Sequence, residues 1–173
     1  MTGQQRSGTR DSIEYSVVIP VYKNEESLHI VVRRLEDMQT RLDGTLEAVF
    51  VIDGSPDGSL ALLRTLLPET SIKTQLIAHS RNFGSFAAIK TGFLSARGDF
   101  IAAMAADLQE PSELIEKFFE ELSTGQWDVA VGARISREDP ALSRALSNAY
   151  WNSYRSLVQP DMPPGGIDIF ATT

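Results

Sequence analysis

FIAAMAADLQEPSEL, residues 100–114, changes from one periodicity to another within a single short stretch. Phe100 to Met104 are continuously apolar, as a strand buried on both faces should be. Beyond Pro111 and Ser112, the residues Leu114, Ile115, Phe118, Phe119 and Leu122 recur at three-to-four spacing, the pattern of a helix with one buried face. Between the two lie an acid, Asp107, and an amide, Gln109. The stretch therefore reads as a buried strand, a polar tip and a helix.

The same order recurs on either side. Apolar runs occur at YSVVIPVY (15–22), LEAVFVI (46–52), TQLIAH (74–79) and DVAVGA (128–133). Helical patterns follow at Leu28 to Met38, behind Asn24-Glu25-Glu26, then at 59–67, 85–96 and 141–157. Strand and helix alternate five times, which predicts an α/β fold with a mostly parallel central sheet and helices on both faces. In such sheets ligands bind outside the carboxyl ends of the strands. The residues at those ends are Tyr22 to Glu25, Asp53 to Ser55, Ser80 to Asn82, Asp107 to Gln109, and Arg134.

Composition narrows the chemistry. The chain has 173 residues, a formal net charge of −7 and no cysteine. Disulfides and thiolate metal sites are thereby excluded, and no cluster of Lys and Arg offers a nucleic-acid surface. An anionic ligand must be met by a few arginines or a metal. Residues 1–14 lack the apolar core of a signal peptide and read as a flexible leader before one domain, 15–173. No stretch reaches the roughly 20 apolar residues that span a bilayer. The extended run GGIDIFATT ends the sequence without a polar tail, so the domain is expected to continue beyond Thr173.

Motifs exclude other classes. DGSPDGS (53–59) begins like a calcium loop, but Arg64 stands where a bidentate acid is needed. It reads as a strand-to-helix turn in which Asp57 or Ser59 caps the helix. Neither a dinucleotide-binding glycine fingerprint nor a P-loop occurs. Asp107 and Gln109, two apart on an extended segment, would point to the same side and offer two oxygen donors to a hard divalent ion. The competing reading of Asp107 is a turn former. His29 and His79 form no ligand pair and read as surface or packing residues.

The ordered set SVVIPVYKNEESL, VFVIDGSPDGS, SRNFGSFAAIKTG, MAADLQEP and VGAR resembles the family 2 glycosyltransferases, over most of residues 15–136. It is most similar to their polyprenyl-phosphate sugar transferases. The resemblance implies the GT-A nucleotide-diphosphosugar transferase fold. It also implies inverting transfer of a sugar from a nucleotide sugar, UDP-linked, to a polyprenyl phosphate at the cytoplasmic face of a membrane. Membrane association would come from segments outside this chain.

By that resemblance Pro20, Tyr22, Glu25 and Asp53 hold the nucleoside, and Arg81, Asn82 and Gly84 close over the nucleotide. Asp107 and Gln109 bind Mg²⁺ or Mn²⁺, and Arg134 meets the leaving diphosphate. Asp168 is the candidate base for an acceptor hydroxyl, or a residue that shapes the acceptor site; the competing reading is a turn acid. Two departures stand out: Ala105 occupies the place of the first acid in the family's metal motif, and Ile52 precedes Asp53 where relatives carry Asp or Asn. The alternatives are a glycan hydroxyl acceptor, or an inactive module that binds a nucleotide sugar or a protein.

Overall fold

The computed structural model describes residues 12–109, 111–133 and 167–173. Its strands are β1 (Tyr15–Val21), β2 (Leu46–Ile52), β3 (Lys73–Ala78), β4 (Phe100–Ala103), β5 (Val129–Ala133) and β6 (Ile167–Thr172). Its helices are α1 (Leu28–Arg41), α2 (Ser59–Leu66), α3 (Ser85–Ser95) and α4 (Ser112–Ser123), with a short 3₁₀ turn at Leu67–Glu69. The sequence-predicted helix at 141–157 lies outside the described residues.

Alternation along β1 and β2 explains the layers. Val17, Ile19 and Val21, with Ala48, Phe50 and Ile52, face one side and pack with Leu28, Val31, Leu35 and Met38 of α1, Leu63 of α2, and Ile115, Phe118, Phe119 and Leu122 of α4. Val18, Val49 and Val51 face the other side, where they meet Ala88 of α3. Helix α3 can lie this close because residue 92 is glycine: a Cβ there would stand 2.2 Å from a Val18 methyl. Helices thus cover both faces, as continuous apolar strands require.

The strand order is β3-β2-β1-β4-β6-β5. β1 pairs in parallel with β2 and β4, and β2 with β3, in a register that brings Val21 beside Ile52 and Ile52 beside Ala78. The chain proceeds from β1 toward β2 and β3 on one side, and β4 takes the other side of β1. This reversal leaves a crevice between the ends of β1 and β4.

The sixth strand departs from simple alternation. β6 runs antiparallel to both β4 and β5 and lies between them. Local periodicity marks IDIFAT as extended but carries no information about its partners, which are some 70 and 40 residues earlier. The sheet is mostly parallel, with one antiparallel strand inserted.

At the opposite end of the sheet from the crevice, Glu47 is fully buried. It accepts hydrogen bonds from the Ser16 hydroxyl (3.0 Å), the Gln75 amide (3.0 Å) and the Arg97 backbone N–H (3.1 Å), and pairs with the Arg97 guanidinium. Burial pushes its pKa up, but these donors outweigh burial and hold it below the usual range.

Candidate functional site

Hydrogen bonds carry the ladders past the strand ends and aim three loops at one place. The Asp53 N–H bonds to Val21 O (2.9 Å), His79 N–H to Ile52 O (2.8 Å) and Met104 N–H to Val18 O (2.9 Å). The cleft these loops enclose has a volume of about 350 Å³. Pro20, near the end of β1, and Tyr22, just after it, line one side; Asp53 lines it from just after β2, Asn82 and Ser85 from before and at the start of α3, and Ala105 to Asp107 from the loop after β4.

The first two loops are stitched to each other. Asn24 Oδ1 accepts the Tyr22 N–H (3.0 Å), and Lys23, held at φ +58°, donates its N–H to Ser55 Oγ (2.8 Å). Asp57 accepts the Glu25 N–H (3.2 Å), while Glu25 accepts the Gly58 N–H (2.7 Å) at the start of α2. Asp57 also accepts the Ser59 N–H and the Ser55 hydroxyl, so the turn reading of Asp57 holds. Burial raises its pKa, yet the Ser55, Ser59 and Glu25 donors prevail and bring it down to about 2. Glu25, exposed, engages the first turn of α2, where the helix dipole favours a carboxylate.

Asp53 is only 2% exposed. Its Oδ1 accepts the Phe83 N–H (2.9 Å) and meets His79 Nδ1 (2.8 Å), and its Oδ2 accepts the Gly84 N–H (2.8 Å). The carboxylate therefore organises residues 80–84 as well as lining the cleft. Burial pushes its pKa up, and the amide and imidazole donors pull it below the usual carboxylate range. Gly54, at φ +60°, lies beneath this loop; a Cβ there would stand 2.2 Å from the Arg81 carbonyl carbon. Arg81 itself is exposed and stacks on the Phe83 ring at 4.6 Å. Gly84 takes φ +95° just before α3.

The fourth exit differs from its expected shape. Ala106 and Asp107 lie in a turn, Leu108 adopts φ +64°, and Asp107 Oδ1 accepts the Gln109 N–H (3.1 Å). An extended segment would have put the two side chains on one side; the left-handed residue between them removes that relation. Asp107 lines the cleft, whereas Gln109 is exposed and not among its lining residues. Ser27 fixes this loop from α1 by donating to Ala106 O (2.6 Å). Arg134 lies outside the described residues. Asp168 is in β6, the strand between β4 and β5.

This crevice at the reversal of strand order, built from the loops after β1, β2 and β4, accords with the family comparison. The model for "Glycosyl transferase family 2" matches residues 16–171. The chain belongs to glycosyl transferase family 2. Among curated relatives of this family 2 chain, an undecaprenyl-phosphate 4-deoxy-4-formamido-L-arabinose transferase of Pseudomonas aeruginosa (strain LESB58) is 40% identical over 129 residues, covering 75% of this chain and 38% of its own length. A transferase of the same name from Aeromonas hydrophila is 38% identical over 132 residues, 76% of this chain and 40% of that protein. The chain thus spans well under half the length of these relatives.

Solved structures agree on the fold. The mannosyltransferase PcManGT from Pyrobaculum calidifontis, in complex with GDP-Man and Mn²⁺, superposes with a TM-score of 0.59 at 17% identity, covering 93% of this chain and 44% of that one. Glucosyl-3-phosphoglycerate synthase from Mycobacterium tuberculosis, with Mn²⁺, UDP and glucosyl-3-phosphoglycerate, gives 0.59 at 17% identity, covering 99% and 63%. The architecture is the GT-A glycosyltransferase fold.

Oxygen donors for a cation are few among the described residues of the cleft. No group of three His, Cys, Asp or Glu side chains among the described residues could enclose a metal. Among the described residues the cleft offers one exposed carboxylate, Asp107, with Ala105 two residues before it. Such a set fits a Mg²⁺ or Mn²⁺ that keeps waters and shares a diphosphate, rather than an ion caged by protein alone.

Sequence reasoning missed Ser27 and Ser85, and the bond from His79 to Asp53; Ser55, singled out as a strand-end residue, is found bonded to Lys23 and Asp57. His79 is a satisfied packing residue as expected, but it is satisfied by a carboxylate of the cleft. No spacing rule connects positions 53 and 79; parallel pairing of β2 with β3 brings them together.

Proposed function

We propose that the protein transfers a sugar from a UDP-linked donor to a polyprenyl phosphate, with inversion at the anomeric carbon. The observation that carries this reading is the cleft of about 350 Å³ between the ends of β1 and β4, in a family 2 chain 40% identical to an undecaprenyl-phosphate sugar transferase. Residues 15–173 supply the donor-binding domain. The membrane-binding segments lie elsewhere in a longer protein, which works at the cytoplasmic face; no described helix is long and apolar enough to cross a membrane.

In this reading Pro20 and Tyr22 form one wall for the nucleoside. Asp53 shapes the opposite wall by holding residues 83 and 84, and Glu25 keeps the first two loops in register. Asn82 and Ser85 close the cleft over the nucleotide, with Arg81 and Gly84 setting the course of that loop. Asp107 would hold Mg²⁺ or Mn²⁺, which when bound would neutralise the diphosphate; Gln109, turned away from the cleft, takes no part. Small side chains at Ala105 and Ala106 leave room for the sugar.

Arg134, with its planar fork of donors, meets the departing diphosphate. An oxygen of the acceptor phosphate bonds to the anomeric carbon as the carbon–oxygen bond to the diphosphate breaks, and the nucleoside diphosphate leaves with the electron pair. The acceptor is already ionised near neutral pH, so no general base is needed, and Asp168 shapes the acceptor site.

The test supplies full-length protein with radiolabelled UDP-sugars, Mg²⁺ and polyprenyl phosphate, with GDP-sugars in parallel. Label in a lipid product that needs the lipid phosphate supports the reading. Label only in water-soluble glycan moves the acceptor to a hydroxyl, and binding without turnover makes this an inactive nucleotide-sugar module.

A further inference from the structure

His79 begins just past β3, and its ring is turned away from solvent, with a side-chain exposure of 13%. Nδ1 lies 2.8 Å from Asp53 Oδ1 and Nε2 lies 3.0 Å from Thr91 Oγ1 on α3. A carboxylate held in its ionised form only accepts, so Nδ1 carries the proton toward Asp53, while Nε2 shares a hydrogen bond with the Thr91 hydroxyl. The ring is thus partnered at both nitrogens.

Two backbone donors complete the chain of contacts. Asp53 accepts from Phe83 (2.9 Å) and Gly84 (2.8 Å), and the residues flanking that pair, Asn82 and Ser85, line the cleft. The loop has little apolar anchorage of its own: Arg81 is exposed and the Phe83 ring is 51% exposed, meeting His79 only edge to face at 5.5 Å. Polar contacts through Asp53, together with the Gly84 N–H shared with Asn82 Oδ1 (3.0 Å), therefore fix where Asn82 and Ser85 stand.

We propose that His79 is a positioning residue for the donor: through its Nδ1–H it orients the Asp53 carboxylate, which in turn holds residues 82–85 against the nucleotide. His79 does not line the cleft and touches no reacting atom. The inference rests on the cleft being the nucleotide site. It adds an element, the bond from imidazole to carboxylate, that acts on donor affinity and not on the chemical step.

The experiment compares the full chain with His79→Ala, His79→Asn and His79→Gln, measuring UDP affinity by calorimetry with Mg²⁺ and hydrogen exchange over residues 80–86. His79→Ala is expected to weaken UDP about tenfold, equivalent to about 1.4 kcal/mol, and to accelerate exchange at Phe83 and Gly84 while leaving β1 and β2 protected. Asn places an amide N–H where Nδ1 stood and should restore most of the affinity. Gln places its amide nearer the Nε2 position, toward Thr91, and should not.

Equal loss in the Asn and Gln variants would reduce His79 to packing, and unchanged exchange in His79→Ala would overturn the proposal outright. If the unmodified chain fails to bind UDP, the nucleotide reading falls. The exchange comparison at Phe83 and Gly84 then still decides whether His79 positions the loop.

Discussion

Asp107→Ala separates the carboxylate that faces the cleft from the one buried beneath it. Asp53 is 2% exposed and bonded to three protein donors, whereas Asp107 is exposed and accepts the Gln109 N–H on one oxygen. Removing an exposed side chain from a turn should change intrinsic stability by no more than about 0.5 kcal/mol. Its effect should therefore appear in ligand linkage. With UDP and Mg²⁺ at about 100 times the dissociation constant, the native state gains about 2.7 kcal/mol, or roughly 5–11 °C in Tm for a chain of this length. A tenfold weaker complex at the same concentrations retains about 1.4 kcal/mol, or roughly 3–6 °C. Thermal melts with UDP, with and without Mg²⁺, and with EDTA give the metal-dependent part by difference. The variant should lose about half of the shift given by UDP with Mg²⁺, all of it from the metal-dependent part, and no more than about 0.5 kcal/mol of the stability measured in EDTA. Equal metal-dependent shifts in the two proteins would remove Asp107 from the cation site.

Other outcomes follow from the packing around the cleft and the sheet. Glu47→Gln removes the charge from a fully buried acceptor shared by Ser16, Gln75 and Arg97, and should cost about 2–3 kcal/mol in urea unfolding. Arg97→Ala should cost less, because that side chain is 57% exposed. Gly54→Ala combines a left-handed φ with a methyl 2.2 Å from loop backbone. It should lower stability by about 2 kcal/mol or more and weaken UDP, read in the same melts. Asp57, depressed to about 2 when folded, contributes stability that is fully present above its unfolded value near 4 and is lost as pH falls toward 2. The stability gap between the chain and Asp57→Asn, up to about 2 kcal/mol at pH 7, should thus close between pH 4 and 2 in chemical denaturation.

Local pattern was enough for some of this protein. Continuous apolar runs and three-to-four periodicity depend on which face of each segment must leave water. They fixed the first five strands, the four described helices, the mostly parallel sheet and the end at which its cleft opens. The rule that ligands gather at carboxyl strand ends then singled out Tyr22, Asp53, Asn82 and Asp107, all of which line the cleft.

Pairing between distant segments was not legible. β6 reads as one more extended run until β4 and β5 are in place on either side of it, because hydrogen-bond partners are chosen by the assembled sheet. The course of each loop escaped for the same reason. Leu108 at φ +64° turns Asp107 and Gln109 apart, and no propensity would assign that angle to a leucine.

Sequence by itself determined the strand-and-helix order, the layered α/β class and the edge of the sheet where the cleft opens, since burial of a segment's face is a property of its own residues. Only the tertiary structure decided what each polar group at that edge is bonded to. Asp53 is held by His79 and by the amides of residues 83 and 84, and Glu25 by Gly58, through contacts that span 26 to 33 residues. A carboxylate's partner depends on which donors the fold brings within 3 Å, and that distance exists only once the sheet has formed.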